Sequence, residues 1–305
     1  MDLRQLQALI AIADHGSFSS AAAALHTVQS NVSSHIARLE KELGVQLVDR
    51  QAGRLTEEGL AVLERARRIT AELEAAAADV AALRHEVSGT ARIGMIGTTA
   101  RWLAPLMLDR IAVAHPQVKL VIGDGTSATL EPHLAAGSLD AAVVNLPQSS
   151  PDLIERPLFD EDLVLVVPSG HPFADRSKVE IVELNGIELL LPAPGTAFRK
   201  EIDDACRLRG VTLAPRAELD GVRLIASLTL GGYGPAILPA TGATEGLQGF
   251  ARITVAGLPR RTVGLVLRRR GRPSAPARAM LEVLETVVNS NLDPRSGLHA
   301  PSQSK

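Results

Sequence analysis

Apolar residues recur every three or four positions through the first 89 residues, which is the spacing of amphipathic helices. The stretch DRQAGR at 49–54 interrupts this pattern and predicts two short strands around a Gly turn. After VSGT at 87–90, short β-branched runs alternate with helical segments, which predicts βαβ units and a mostly parallel sheet. The predicted strands lie at 91–96, 118–124, 139–145, 162–168, 186–192, 217–220, 236–239, 251–256 and 262–268.

A helix predicted near residues 28–43 has two unlike faces. One side is apolar and is expected to face a core; it collects Val32, Ile36, Leu39 and Leu43, with Val28 at its edge. The opposite side is mostly polar and collects Ser30, Ser33, Ser34, Ala37, Arg38 and Lys41, with Asn31 on its flank. Ser and Asn compete for backbone groups and are poor choices for an exposed helix, so this face indicates a function.

The segment just upstream predicts a second short helix. In SFSSAAAALHT, Ser17, Ser19 or Ser20 can serve as N-cap, and the Ala-rich body lets another helix approach closely. Thr27 is the expected N-cap of the helix that follows. Two short helices with a tight break form a helix-turn-helix, whose second helix enters the major groove of DNA.

Residues 56–87 predict one long helix, with Thr56 as N-cap and Glu57 and Glu58 in its first turn. Its apolar residues alternate spacings of four and three, a heptad seam made of Val62, Ala66, Ile69, Leu73, Ala76, Val80, Leu83 and Val87. Such a helix could lie on its own domain, but that role usually requires a broader apolar face. The seam therefore favours a dimerising linker helix.

Composition and charge limit the classes of protein to which the chain can belong. No run of eighteen apolar residues occurs and the N-terminus lacks a signal-peptide core, so neither membrane insertion nor export is expected. The single cysteine, Cys206, excludes an intramolecular disulfide framework and fits a cytoplasmic location. Net charge is −2, and residues 1–89 hold nine Lys and Arg against twelve Asp and Glu. DNA binding would therefore depend on where charges lie rather than on a basic excess.

The order of residues near the N-terminus resembles the DNA-binding domain of LysR-type transcriptional regulators. The residues that carry the resemblance are Phe18, Ala21, Ala22, Ala23, Leu25, Gln29, Ser33, Ile36, Leu39, Glu40, Leu43, Gly44, Leu47, Arg50, Leu55, Thr56 and Gly59. Further along, GTARIGMIG, DGTSATLEPHLAAGSLDAAVV, LVLVVPSGHPFA and LGGYGPAILP are similar to that family's effector domain. The resemblance implies an all-α winged helix-turn-helix head, a long linker helix and an α/β two-lobed, periplasmic-binding-protein-like effector-binding domain.

The expected division places the head at 1–58 and the dimerising linker helix at 59–89. The effector-binding domain is expected at 90–290, with lobe I at about 90–160 plus 263–290 and lobe II at about 161–262. The chain is expected to cross between the lobes near 145–162 and 256–264. The polar, Pro- and Gly-bearing residues 291–305 predict a disordered tail.

The resemblance implies operator DNA as a partner, together with self-association as a dimer or tetramer and contact with RNA polymerase. The residues it assigns to base contact are Gln29, Ser30, Asn31, Ser33 and Ser34. Ser30 and Ser34 stand where the family often has Pro and Arg. The residues expected on the DNA backbone are Thr27, Arg38, Arg50 and Arg54, the last two carried by the predicted wing.

Hydroxyl groups follow the predicted strands at helix starts, where free backbone N–H groups favour an anion. The resemblance implies that they line a cleft between lobes, outside the carboxyl ends of the strands. Each could instead be a helix cap only. The candidate effector-binding residues are Thr98, Thr99, Thr126, Ser127 and Thr196, with Arg101 as a partner for an anionic effector and Tyr233 as a wall. No cofactor and no metal are expected.

Two other classes compete with a regulator. An enzyme is disfavoured because the chain has no dinucleotide fingerprint after a first strand, no P-loop and no nucleophile elbow, and its eight His show no metal spacing. A solute-binding protein shares the two-lobed fold but requires export and has no DNA-binding head. The sequence therefore predicts a non-enzymatic, ligand-responsive, sequence-specific DNA-binding regulator.

Overall fold

The structure is a computed structural model that describes residues 1–50, 53–84, 86–147, 150–243 and 249–302. Residues 51–52, at the tip of the predicted wing, lie outside the described residues, as do residues 303–305 of the predicted tail.

The head comprises α1 (Leu3–His15), α2 (Phe18–Ala24), α3 (Gln29–Leu43) and a wing formed by β1 (Val48–Asp49) and β2 (Arg54–Leu55). Ser17 caps α2, which confirms one of the three predicted caps. His26 occupies the turn between α2 and α3 with a φ of 52°, a left-handed conformation that non-glycine residues seldom adopt. The buried faces of the helices meet in a single core with Leu47 and Val48.

The linker helix, α4, spans Glu57–Ala82. The Thr56 side chain accepts a hydrogen bond from the Gly59 N–H at 3.0 Å, which confirms the predicted N-cap. The helix ends before the predicted limit at 89, because Gly89 already begins the first strand of the next domain. Val87, the last residue of the predicted seam, lies off the helix and packs against the next domain.

The rest of the predicted seam divides into two parts. Val62 and Ala66 pack into the core of the head. From Ile69 onward the larger apolar side chains are exposed, reaching 50% for Leu73 and 81% for Leu83. The C-terminal half of α4 therefore carries an apolar face that its own chain leaves uncovered.

Lobe I of the following domain contains parallel strands with helices between them. Its elements are β3 (Gly89–Ile96), α5 (Gly97–Ala114), β4 (Val118–Gly125), α6 (Ser127–Ala135), β5 (Ala141–Asn145), β12 (Arg260–Arg268) and α9 (Ala275–Ser290). β3 pairs in parallel with β4 and β5, and α9 packs on α5 and β3.

Lobe II repeats this plan. Its elements are β7 (Lys178–Glu180), a 3₁₀ turn (Ile181–Leu184), β8 (Glu188–Pro192), α7 (Ala197–Arg207), β9 (Ala214–Leu219), α8 (Val222–Leu230), β10 (Ala236–Pro239), a 3₁₀ turn (Ala240–Gly242) and β11 (Phe250–Ala256). One core lies between its sheet and α7, and another lies against α8.

Strand β6 (Leu153–Pro168) joins the two lobes. It pairs with β12 up to Asp162 and with β10 from Leu163, so it passes from lobe I into lobe II between these residues. The chain returns between β11 and β12. Because β6 runs antiparallel to β10, β11 and β12, the sheet is mixed, and the expectation of a mostly parallel sheet is wrong at its centre.

The prediction of a disordered tail is wrong for residues 291–302. After α9 the chain forms a 3₁₀ turn (Pro294–Ser296) and then β13 (Leu298–His299), which pairs with β6. Leu298 is 5% exposed in the core of lobe I. Polar side chains of this segment form hydrogen bonds to β6, so the segment is ordered despite its polar composition.

Candidate functional site

Helix α3 separates a docking face from a free face. Val32, Ile36 and Leu39 are buried in the core of the head, as the apolar stripe predicts. The stripe is shorter than expected, because Val28 and Leu43 at its two ends are exposed. The three buried side chains therefore fix the orientation of α3, and both ends of the helix extend beyond the core.

The residues predicted for base contact lie on the first turns of α3. Gln29, Ser30 and Asn31 are exposed, whereas Ser33 and Ser34 are half-buried. Nδ2 of Asn31 donates a hydrogen bond to Oγ1 of Thr27 at 2.9 Å.

The predicted cap at Thr27 is wrong. Val28 occupies the N-cap position of α3 and makes no side-chain capping bond. The hydroxyl of Thr27 instead accepts the hydrogen bond from Asn31, one turn along the helix. The N–H groups of the first turn of α3 therefore have no side-chain cap at the N-cap position.

Two arginines predicted on the DNA backbone contact the serines of α3. An Nη2 proton of Arg38 is donated to Oγ of Ser34 at 3.0 Å, and an Nη1 proton of Arg50 to Oγ of Ser33 at 3.2 Å. Arg50 also lies over the ring of Phe18, with 5.3 Å from Cζ to the ring centroid. Each serine keeps its own O–H for a further acceptor, and each guanidinium keeps further donors.

The fourth predicted backbone contact, Arg54, is exposed on β2. Since β1 and β2 pair, Arg50 and Arg54 emerge from the same small wing. The structure thus brings the wing and α3 together through Arg50 and Ser33, a link across 17 residues of sequence.

In the effector-binding domain, Thr98 and Thr99 are buried in the first turn of α5. The helix begins at Gly97 with Ile96 as N-cap, slightly earlier than the predicted start near Thr99. Oγ1 of Thr99 has no hydrogen-bond partner among the described residues. A buried hydroxyl without a partner is costly, which marks this turn as a place where a ligand or water could bind.

Thr126 and Thr196 are N-caps. The Thr126 hydroxyl accepts the N–H of Thr129 at 3.3 Å in a capping box at the start of α6. The Thr196 hydroxyl accepts the N–H of Arg199 and donates to the carbonyl oxygen of Ala193. Their hydroxyl groups therefore cap α6 and α7, which is the alternative to effector binding that the sequence left open.

The remaining predicted effector residues are on the surface or near it. Arg101 and Tyr233 are exposed, and Ser127 is half-buried in the first turn of α6. The ring of Tyr233 folds back to 3.1 Å from where a Cβ on Gly231 would stand, so it lies over its own loop.

A pair that sequence reasoning missed joins the two lobes at the start of α5. Nη2 of Arg223, on α8, lies 2.5 Å from Oδ2 of Asp124, at the end of β4. The stem of Arg223 passes so close to Gly97 that a Cβ there would be 2.8 Å from Cγ and Cδ of the arginine. Thr98 Cγ2 similarly lies 3.0 Å from where a Cβ on Gly242 would stand. The walls of the expected cleft therefore touch at this turn.

A buried ion pair lies where the lobes join. Nη2 of Arg261, on β12, lies 2.6 Å from Oε1 of Glu161, on β6, and their side chains are 6% and 0% exposed. The other oxygen of Glu161 accepts the N–H and O–H of Thr241 at 3.2 and 2.8 Å. Cζ of Arg261 lies 5.0 Å from the ring centroid of Phe198 on α7. The network thus ties α7 and both joining strands together.

Burial raises the pKa of two groups on α7, Glu201 and Cys206. Burial raises the pKa of Glu201, and Arg261 lowers it while Glu161 raises it. Burial also raises the pKa of the Cys206 thiol to about 11. At neutral pH Cys206 is therefore a protonated, buried thiol.

The described residues also bear on metal binding and on membrane insertion. No group of three or more His, Cys, Asp or Glu side chains is arranged to hold a metal ion there. In that same part of the chain, no helix has the length and apolar character to span a membrane.

Two family models match the chain, one at each end. Residues 3–60 match the bacterial regulatory helix-turn-helix protein of the lysR family, and residues 84–289 match the LysR substrate binding domain. The chain belongs to the LysR family. It is a DNA-binding transcriptional regulator with an effector-binding domain, and the LysR-type head, linker and two-lobed domain expected from the sequence are confirmed.

Curated LysR-family relatives match over nearly the whole length. A probable hydrogen peroxide-inducible genes activator of Mycobacterium leprae is 32% identical over 299 residues, covering 93% of this chain and 94% of that protein. The DNA-binding transcriptional dual regulator OxyR of Escherichia coli is 28% identical and covers 96% of each.

Solved structures agree in fold. A full-length OxyR variant from Pseudomonas aeruginosa has a TM-score of 0.75 at 25% identity, covering 100% of this chain and 99% of that one. Full-length CbnR in complex with its target DNA has a TM-score of 0.70 at 24% identity, covering 95% and 99%. LysR regulators bind operator DNA and act as oligomers.

Proposed function

We propose that this LysR-family regulator reads its operator with the exposed face of α3 and that an anionic small molecule in the interlobe cleft controls the outcome. The observation that carries the first half is the division of α3, whose buried Val32, Ile36 and Leu39 leave Gln29 and Ser30 free at its N-terminal end. The major groove admits one helix, and uncharged polar side chains can bond to base edges there.

Base contact is assigned to Gln29, Ser30, Asn31, Ser33 and Ser34, and phosphate contact to Thr27, Arg38, Arg50 and Arg54. The bonds from Arg38 to Ser34 and from Arg50 to Ser33 support this division. They hold each cation beside the helix while leaving it donors for a phosphate. Affinity then depends on a few placed arginines, which suits a head without a basic excess.

Photocross-linking on DNA tests the recognition face. The full chain is bound to DNA selected from a random pool, with iodouracil in place of thymine, and adducts are mapped by mass spectrometry. The proposal expects adducts within residues 27–38 and on the wing near Arg50 and Arg54. Adducts confined to α2 or to the effector-binding domain would overturn it.

The effector is proposed to be an anion that takes the place of Asp124 on Arg223. Arg223 lies beside the first turn of α5, where unpaired N–H groups also favour negative charge. Asp124 now supplies that charge across the cleft. An exposed ion pair contributes about 0–1 kcal/mol, so an incoming carboxylate or phosphate can displace it readily. Thr98, Thr99, Thr126, Ser127, Thr196 and Tyr233 are kept as candidate lining residues.

A thermal-shift screen of small carboxylates, phosphates and amines tests the anion site, since a ligand of the folded state raises the melting temperature. Anions are expected to stabilise the wild type, and Arg223→Gln is expected to abolish that shift. Arg101→Gln is the matched control, because Arg101 was the cation predicted from sequence. Loss of the shift in Arg101→Gln with retention in Arg223→Gln would contradict the assignment.

A sensor that works by cysteine oxidation is not supported, although the Mycobacterium leprae relative is named as a probable activator of hydrogen peroxide-inducible genes. One cysteine cannot form an intramolecular disulfide. With a pKa of about 11, Cys206 has roughly a hundredfold less thiolate at neutral pH than an ordinary thiol. Peroxide treatment of the folded protein is therefore expected to leave Cys206 unmodified by mass spectrometry, and rapid oxidation there would contradict this.

Self-association is proposed through α4. Its exposed Ile69, Leu73, Val80 and Leu83 continue the heptad seam beyond the head, as a two-helix interface requires. Leu73→Asp is expected to dissociate the dimer in sedimentation experiments, whereas Leu208→Asp, on the surface of lobe II, is not. A Leu73→Asp variant that stays dimeric would place the interface elsewhere. Tetramer formation and contact with RNA polymerase are part of the proposal as the route from operator binding to transcription.

A further inference from the structure

Residues 293–302, the C-terminal strap, are built onto the strand that joins the lobes. Leu298 and His299 pair antiparallel with Glu161 and Asp160 of β6. The N–H of Asp162 donates to the carbonyl oxygen of Gly297 at 2.9 Å. The strap therefore adds a strand beside β6 at the residues where that strand passes from lobe I to lobe II.

Side chains on β6 reinforce this pairing. Oδ2 of Asp160 accepts the N–H and O–H of Ser302 at 2.9 and 2.5 Å. Oδ2 of Asp162 lies 2.9 Å from Nε2 of His299, and Oδ1 of Asp162 accepts from Arg260 at 2.7 Å. The two carboxylates on either side of Glu161 thus hold the end of the strap.

The strap is anchored in both lobes. Leu298 is buried in the core of lobe I. Arg252, on β11 of lobe II, donates from Nη1 to the carbonyl oxygen of Ser296 at 2.7 Å and from Nη2 to that of Arg295 at 2.8 Å. A rotation that separates the lobes must break the Arg252 bonds or pull Leu298 out of its core.

The strap also fits closely where it crosses. Gly297 has a φ of +71°, and a Cβ added to it would lie 3.1 Å from Cβ of Ala240 and 3.2 Å from Cβ of Asp162. A side chain at this position would be strained by its backbone and crowded by both neighbours. Gly297 thereby lets the strap lie directly against the 3₁₀ turn and β6.

We propose that the C-terminal strap is a clamp that limits rotation of lobe II against lobe I and so sets how far the cleft is closed without effector. Strands β6 and β12 alone would form a two-stranded joint. The strap makes it three-stranded at residues 160–162 and adds a tether from Arg252. Releasing the strap widens the range of interlobe distances and shifts the resting output of the regulator.

Pulsed electron spin resonance on the full chain tests the clamp. Nitroxide labels are attached at Val113→Cys in lobe I and Leu208→Cys in lobe II, which are both exposed, while native Cys206 is buried. Deletion of residues 293–305 is expected to broaden the distance distribution and add a longer population. Deletion of residues 303–305 alone, which keeps the strap, is the matched control and is expected to leave it unchanged.

Two point variants separate clamping from folding. Arg252→Met removes the lobe II anchor and leaves Leu298 in its core, so it is expected to broaden the distribution without the stability loss of the deletion. Gly297→Ala is expected to lift the strap and act in the same direction. A distribution unchanged in both point variants overturns the proposal, even if the deletion variant fails to fold. The readout uses no effector, so failure of the anion site would not mimic failure of the clamp.

Discussion

Replacing Arg261 by Met should destabilise the effector-binding domain strongly, because it leaves a carboxylate alone in the protein interior. Glu161 is fully buried, with Oε1 2.6 Å from Arg261 and Oε2 accepting hydrogen bonds from the N–H and O–H of Thr241. Breaking a buried ion pair by removing one partner costs about 3–5 kcal/mol. At about 2–4 °C per kcal/mol for a domain of this size, the melting temperature should fall by roughly 6–20 °C.

The neighbouring Arg260→Met is the matched control. This variant removes the same charge from the same strand, but Arg260 is mostly exposed and pairs with Asp162, which His299 also contacts. An exposed pair is worth about 0–1 kcal/mol, so this variant should lose at most about 4 °C. The double variant Glu161→Met with Arg261→Met should recover most of the loss, since no lone charge remains inside.

Fluorescence of Trp102 provides the assay. It is the single tryptophan of the chain, and it packs edge-on against Phe159 of β6 at a centroid distance of 5.2 Å. Its signal therefore follows unfolding of the effector-binding domain rather than of the head, which matters because a multidomain chain does not unfold in one step. Equal melting temperatures for Arg261→Met and Arg260→Met would show that the buried ion pair stabilises the domain no more than the exposed one.

Four further substitutions test single side chains. Arg50→Ala should weaken binding to all DNA sequences and lower the slope of log affinity against log salt by about one unit at most; an unchanged slope would remove Arg50 from the phosphate contacts. Thr98→Val should abolish the effector response and keep basal DNA binding; full ligand affinity by calorimetry would contradict this. Thr126→Val should have the same effect and should in addition destabilise the protein by about 1 kcal/mol, because it removes the N-cap of α6. Because burial raises the pKa of Glu201, its stabilising contribution is complete below its ordinary pKa and is lost as pH rises through the folded value. Glu201→Gln should therefore be more stable than wild type near pH 7 and similar near pH 4 in thermal unfolding, and a difference independent of pH would count against this.

Features set by local pattern were predictable from the sequence. Thr56 caps α4 as expected, and Val32, Ile36 and Leu39 face the head core, because capping and helical periodicity act within a few residues. The prediction that Val28 and Leu43 face the core was wrong, because the core stops about a turn short of each end of α3. The prediction of a cap at Thr27 was wrong because α3 begins at Gln29, so that Val28 and not Thr27 holds the N-cap position.

Features set by long-range pairing were not predictable from one sequence. Arg261 meets Glu161 across 100 residues, and His299 meets Asp162 across 137. Neither spacing leaves a periodic signal. The polar tail looked disordered because its partners, two carboxylates on β6, are brought to it only by the sheet. Arg223 was missed for the same reason, since its contact with Asp124 exists only once the lobes meet.

The role of α3 in reading DNA is tested most directly by the ratio of affinities for a selected operator and for random-sequence DNA. It is measured for wild type, Gln29→Ala and Ser33→Ala, with Gln117→Ala on the exposed surface of lobe I as the matched control. Both α3 variants are expected to lose discrimination by about 1–3 kcal/mol per base contact removed while retaining the melting temperature of the head. If both α3 variants discriminated between operator and random DNA as well as Gln117→Ala does, the assignment of α3 as the surface that reads DNA would be contradicted.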